Sequence, residues 1–254
     1  MKKLSLLAVI GASLSTTAFA ADITVLDGSQ GWLGHGFSGG GSASINMSPS
    51  NDADGSLRME GDRSRAGFGT GGDMGTLGAL SAGSVSFDFY RDSASTGAGH
   101  YQIALAFFVR NSLGQTGSLT WEAAYNGIGV VEDTWINDQI LSGAGVWWIR
   151  SGGVNFDQVA NMRTLTDWAS GGSVTWASDT SIALGADTAI TSMELKVGSG
   201  VPGGTFMGNA DDVRFSFDGG ASYQSNFQAV PEPMTMSMLG LGALALLRRR
   251  KHAR

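Results

Sequence analysis

Val85-Ser86-Phe87-Asp88-Phe89 places an apolar residue at every second position, and Tyr101-Gln102-Ile103-Ala104-Leu105-Ala106-Phe107 does the same with its large side chains. Successive side chains of an extended chain point to opposite faces, so a period of two marks a half-buried antiparallel strand. Working outward, the same alternation predicts strands at residues 57–60, 119–124, 134–136, 146–149, 189–197 and 213–217. Turn-forming clusters separate them, among them Gly39-Gly40-Gly41-Ser42, Gly71-Gly72-Asp73 and Gly198-Ser199-Gly200. Residues 164–169 read as one short helical turn, and no long amphipathic helix is visible. Many short strands with glycine-rich connections predict an all-β fold, an antiparallel two-sheet sandwich of the jelly-roll kind. No repeat of fixed period is present, which argues against a solenoid.

The two ends of the chain follow other rules. Lys2 and Lys3 precede a short apolar run, and Ala18-Phe19-Ala20 supplies small residues where a signal peptidase needs them. Residues 1–20 therefore read as a secretory signal peptide cleaved after Ala20, which makes the Sec translocon and signal peptidase partners. At the other end Val230-Pro231-Glu232-Pro233 is followed by fourteen uncharged residues, 234–247, and then by Arg248-Arg249-Arg250-Lys251-His252-Ala253-Arg254. As a helix, the apolar piece would reach about 21 Å at 1.5 Å per residue, short of a hydrocarbon core of about 30 Å. It is a marginal, transiently inserted span. The basic cluster stays cytoplasmic and leaves the rest of the chain outside. Pro231 and Pro233 hold their neighbours extended, so the motif lies outside the helix and open to a membrane enzyme.

Pro231-Glu232-Pro233, the short apolar helix and the arginine cluster Arg248-Arg249-Arg250, with a signal peptide at the other end, resemble the PEP-CTERM sorting signal. The resemblance covers residues 230–254. It implies exosortase, a membrane protease or transpeptidase, as a processing partner, and a Gram-negative, exopolysaccharide-producing host. Three segments follow: signal peptide 1–20, β-sandwich domain 21–229 and sorting signal 230–254.

With both terminal segments set aside, residues 21–233 keep nine basic against 22 acidic side chains, a net of −13. Such a surface repels phosphate backbones, so nucleic acid is not an expected partner, whereas divalent cations and neutral glycans suit it. There is no cysteine, although an oxidising compartment would permit disulfides. Stability must come from apolar burial, which 42% hydrophobic residues and seven tryptophans can supply.

Asp54-Gly55-Ser56-Leu57-Arg58-Met59, residues 84–90 and Asp211-Asp212-Val213-Arg214-Phe215 resemble segments of concanavalin A-like and carbohydrate-binding jelly rolls. That resemblance, one of strand style, implies first and last strands pairing near a structural calcium. Asp211 and Asp212 are read as opening the last strand. They form either a solvated turn or a calcium site shared with the segment around Asp27. Asp52-Ala53-Asp54-Gly55 looks like the front half of a calcium loop, but Ser50 and Gly61 stand where the first and twelfth ligands belong, so it is no EF-hand.

Gly34-His35-Gly36-Phe37-Ser38-Gly39 and Gly67-Phe68-Gly69-Thr70-Gly71-Gly72 fit dinucleotide-loop spacing, and Ser38 fits a nucleophile elbow, but neither run precedes a helix. With only His35 and His100 surviving processing, histidine-rich zinc chemistry is not expected. His100 reads as a polar cap at a strand start. No clustered carboxylates suggest glycosidase chemistry, so no catalytic residue is assigned and the chain is expected to be no enzyme. Trp147 and Trp148 are adjacent in a strand and must face opposite ways, one into the core and one outward as a candidate glycan contact. The expectation is an exported surface or extracellular-matrix protein associated with exopolysaccharide and biofilm. The alternatives are a carbohydrate-binding module with a defined ligand and a glycan-active enzyme on a lectin-like scaffold.

Overall fold

Alternation of apolar and polar residues produces two antiparallel sheets packed face to face. The computed structural model describes residues 32–34, 40–51, 54–140, 145–151, 154–155, 162–174, 182–198 and 205–228. The larger sheet runs Trp32–Gly34, Arg65–Phe68, Ala189–Lys196, Ala104–Arg110, Thr116–Trp121, Val146–Ser151 and Val154–Asn155. Gly75–Thr76 and Arg163–Thr164 add short pairings to it. The smaller sheet runs Ser42–Asn46, Ser56–Glu60, Met207–Ser216, Ser84–Arg91 and Trp135–Gln139, with Ser222–Ser225 beside Met207–Ser216. A late strand thus occupies an interior position in each sheet, and most pairings join distant parts of the chain. The expected sandwich is the observed one.

Inward residues of both sheets share one core. The row Leu195, Leu105, Trp121, Trp147 crosses four neighbouring strands of the larger sheet in register. From the smaller sheet, Phe87 meets the Trp121 ring edge-on at 5.7 Å, and Phe215 meets Phe107 at 5.6 Å. Each such aromatic or aliphatic side chain contributes roughly 1.5–3 kcal/mol on burial. The helical turn read at 164–169 is the helix Leu165–Ala169. Its capping box is complete: Thr164 Oγ1 accepts from the Asp167 N–H, and Asp167 Oδ2 accepts from the Thr164 N–H. Its Trp168 is buried and donates its indole N–H to the Trp147 carbonyl at 3.1 Å.

Three local readings change. The strand read from Tyr101 pairs only from Ala104, where Lys196 is its partner, so His100 lies in a turn, its ring tilted against that of Tyr101 at 4.5 Å, instead of capping a strand. Asp211 and Asp212 do not open the last strand; they lie inside Met207–Ser216, and Ser222–Ser225 follows. The Gly67–Gly72 run leaves a strand for a loop, with no helix directly after it, whereas His35 to Gly39 lie outside the described residues.

Candidate functional site

The outward row of the larger sheet explains why a groove exists there. Glu194, Ala106, Thr120 and Trp148 lie side by side across four strands, and Lys196 lies beside Ala104. Methyl groups at positions 104 and 106 leave the middle of the sheet low, and longer side chains on both sides form walls. The resulting cavity has a volume of about 540 Å³ and is lined by Arg65, His100, Tyr101, Gln102, Glu122, Tyr125, Trp148, Arg150 and Lys196 among others. A second hollow of about 250 Å³ continues past Phe108, Ser118 and Glu194, and shares Arg65, Arg150 and Lys196 with the first.

A 3-10 turn, Ala123–Asn126, sets the rim. Asn126 clamps it to the neighbouring strand, accepting from the Val146 N–H at 2.7 Å and donating to the Val146 carbonyl at 3.2 Å. Gly127 ends the turn at φ 70°, a left-handed conformation that glycine adopts without steric cost. Tyr125 is thereby held at the mouth and Glu122 at the wall.

Trp147 and Trp148 do face opposite ways. Trp147 is fully buried in the core and presents nothing to a ligand. Trp148 lines the groove but is only 6% exposed; its indole N–H donates to Glu122 Oε1 at 3.2 Å, and Lys196 Nζ sits 5.3 Å from its ring. It is a wall more than an open stacking platform, and Tyr101 and Tyr125 supply the more accessible rings. Burial raises the Glu122 carboxyl above the usual range, opposed by Lys196. Burial lowers the Lys196 ammonium to about 8.

On the smaller sheet the Asp211-Asp212 pair sits where Met207–Ser216 changes edge partner. Residues before it pair with Ser56–Glu60 and residues after it with Ser222–Ser225. The register with Ser84–Arg91 slips between Asp211 and Arg214, and Asp212 takes φ 48°. This bulge lets Ala210 and Val213, three residues apart, both be buried in the core. Asp211 is wholly buried; Oδ1 accepts from the Asp212 and Phe227 N–H groups at 2.8 and 3.1 Å. Asp212 instead pairs with Arg214 at 2.8 Å.

Beside Asp211, Asp54 Oδ2 accepts from Asn226 Nδ2 at 3.2 Å and Gln228 Nε2 at 3.0 Å. Asp211 Oδ2, Asp54 Oδ1 and Asn226 Oδ1 are buried without a hydrogen-bond partner among the described residues. Burial, with Asp212 and Asp54 nearby, raises the Asp211 carboxyl to about 7. Burial and Asp212 raise Asp88, its cross-strand neighbour, to about 6. No three histidine or carboxylate side chains among the described residues form a ready metal cage, so any ion there would also use amide oxygens. Asp27 lies outside the described residues. Nothing in the sequence spacing ties residues 54, 211 and 226, nor 65, 150 and 196; pairing of remote strands brings each set together.

Ala18, Ala20, Pro231, Glu232, Pro233 and Arg248 to Arg250 also lie outside the described residues, and among those described no helix is long and apolar enough to cross a membrane. Comparison with known proteins bears on this region. No curated protein shows significant similarity to the chain. Among solved structures, one titled "Structural analysis of an exo-beta-agarase" aligns at 12% identity and TM-score 0.37, over 74% of this chain and 23% of that one, so the chain spans about a quarter of that protein's length. The family model for the PEP-CTERM protein-sorting motif matches residues 229–251. The chain thus carries a PEP-CTERM sorting motif and is an exosortase-sorted, exported surface protein.

Proposed function

We propose that this is a non-enzymatic matrix protein of a Gram-negative envelope, exported through Sec, trimmed by signal peptidase and exosortase, and bound to extracellular polysaccharide through the groove of its larger sheet. The observation that carries the reading is the groove itself: a trough of about 540 Å³ with tyrosines at its mouth and polar groups along its wall, on a protein whose sorting motif sends it to the surface. Rings that offer an apolar face beside hydrogen-bonding groups suit sugars, which have an apolar face and a hydroxyl edge. Sedimentation of the exported protein with polysaccharide isolated from its host tests this. Tyr125→Ala should weaken retention about tenfold, and a protein that stays in solution at every polymer concentration contradicts the reading.

We further propose a structural calcium ion between Asp54, Asp211 and Asn226, replacing the Asp27 pairing considered from sequence. Three buried oxygens without donors are what a hard cation seeks, and calcium accepts carboxylate and amide oxygens in a flexible shell. An ion held only by the folded form stabilises it by about 2.7 kcal/mol at a hundredfold excess over its dissociation constant. Calcium should raise the melting temperature where magnesium, bound by a stricter octahedral shell, does not. An equal rise with magnesium would indicate general screening of an acidic surface.

A further inference from the structure

We infer that the groove takes a polysaccharide bearing carboxylates; this rests on the glycan-binding reading above and specifies its ligand class. Nine basic side chains remain in residues 21–233, and three of them, Arg65, Arg150 and Lys196, line both hollows of this one trough. Elsewhere most cations stand singly beside a carboxylate: Arg58 with Asp92, Arg91 with Glu132, Arg110 with Asp73 and Arg214 with Asp212. The groove instead gathers three cations on one face of the sheet. Arg65 and Lys196 are direct cross-strand partners, a placement in which like charges repel and destabilise the sheet.

The compensation within the protein is incomplete. Glu194 meets Arg65 at 3.4 Å, and Glu122 accepts from Trp148. Lys196 Nζ donates to Thr120 Oγ1 at 2.9 Å, with no carboxylate at ion-pair distance among the described residues. Arg65 Nε, both polar atoms of the Gln102 side chain and Glu194 Oε2 are buried without a hydrogen-bond partner among those residues. Among the lining residues three cations, Arg65, Arg150 and Lys196, face two carboxylates, Glu122 and Glu194. A carboxylate set between Arg65 and Lys196 would accept from both and relieve their repulsion, and guanidinium forks match its planar geometry. Neutral hydroxyls could satisfy Gln102 but would leave the charge imbalance in place.

The shape argues for a polymer over a single small anion. The two hollows, about 540 and 250 Å³, adjoin across the same three cations, so the trough continues along the sheet. A chain with a carboxylate on each of several sugar units can occupy both. The remaining surface is acidic and repels polyanions, so attraction is confined to the trough and weakened by salt.

Affinity electrophoresis or calorimetry with the exported protein tests the inference, using a polyuronate, the same polymer with its carboxyls reduced to alcohols, and a sulfated neutral glucan. Carboxyl reduction is expected to weaken binding about tenfold or more. Arg150→Gln, at an exposed position, should weaken polyuronate binding about tenfold, with circular dichroism checking that the fold is intact. Arg110→Gln, at the far end of the Ala104–Arg110 strand and paired with Asp73, should change nothing. Equal affinity for the polyuronate and its reduced form overturns the acidic ligand class while leaving the glycan reading intact. Tighter binding of the sulfated glucan overturns the carboxylate assignment, and failure to bind any polymer overturns the glycan reading itself.

Discussion

Asp211→Asn separates a buried carboxylate from a cation site. Asp211 is wholly buried and its carboxyl is raised from 3.8 to about 7, chiefly by desolvation. A carboxyl raised in the folded state penalises folding once it ionises: the penalty is absent below the unfolded value and complete above the folded one. At pH 8 without divalent ions it comes to about 4 kcal/mol, falling to about 2 kcal/mol at pH 5. The asparagine keeps Oδ1 as acceptor for the Asp212 and Phe227 N–H groups. Its new NH₂ enters a neighbourhood whose unpartnered atoms, Asp54 Oδ1 and Asn226 Oδ1, are acceptors. The variant should therefore be more stable than the parent at pH 8 in chelator, by up to about 4 kcal/mol. For a domain of this size that is about 8–16 °C in melting temperature. In calcium at a hundredfold excess over its dissociation constant the gap should narrow by about 2.7 kcal/mol, because only the parent gains the ion. Calorimetric melts at pH 5 and pH 8, with chelator and with calcium, give the four values required. A variant less stable than the parent by the same amount under all four conditions would refute both the buried-charge penalty and the ion.

Phe107→Ala removes a ring that contacts Trp147 and Phe215 at 5.6 Å each and bridges the two sheets; it should cost about 3–5 kcal/mol in denaturant unfolding, and a cost below 1 kcal/mol would mean the sheets are not packed as described. Gly83→Ala would set a Cβ 1.9 Å from the Ser216 carbonyl oxygen, so a loss of about 1–3 kcal/mol is expected, and an unchanged melting temperature would contradict the close approach. Changing Pro231-Glu232-Pro233 to alanines should leave an unprocessed, membrane-retained precursor on immunoblots of cell fractions, whereas release of a form ending near residue 230 would show that the motif is not what is read.

The sandwich was legible where a strand has one apolar face. Val85, Phe87 and Phe89 are buried as their alternation requires, and Trp147 and Trp148 divide between the faces. Alternation failed where backbone geometry shifts its phase. In Met207–Ser216 the bulge puts Ala210 and Val213, three apart, on the same side, so the first half of the longest strand reads as a polar loop. Ser42–Asn46 was hidden by the glycine run before it and by its serines, which face outward. The groove was less legible still. Ser118, Thr120, Glu194 and Lys196 look like ordinary outward residues of a solvated face, yet Thr120 and Glu194 are fully buried. Their convergence with Arg65 and Arg150 follows from strand order, which local pattern does not encode. Asp54 was visible as part of a calcium-like turn and Asp211 as part of an acidic pair, but their meeting depends on the segment after Ser222–Ser225 returning past both.

The central claim, that the chain is a surface protein handed to exosortase through its C-terminal motif, is tested most directly by the intact mass of the protein recovered from envelope and culture supernatant, in the host and in a strain lacking exosortase. The account predicts a mature species in the host that begins after Ala20 and ends near Val230, and an uncut C-terminus in the mutant; a mature species that retains Arg248 to Arg254 in both strains would contradict it.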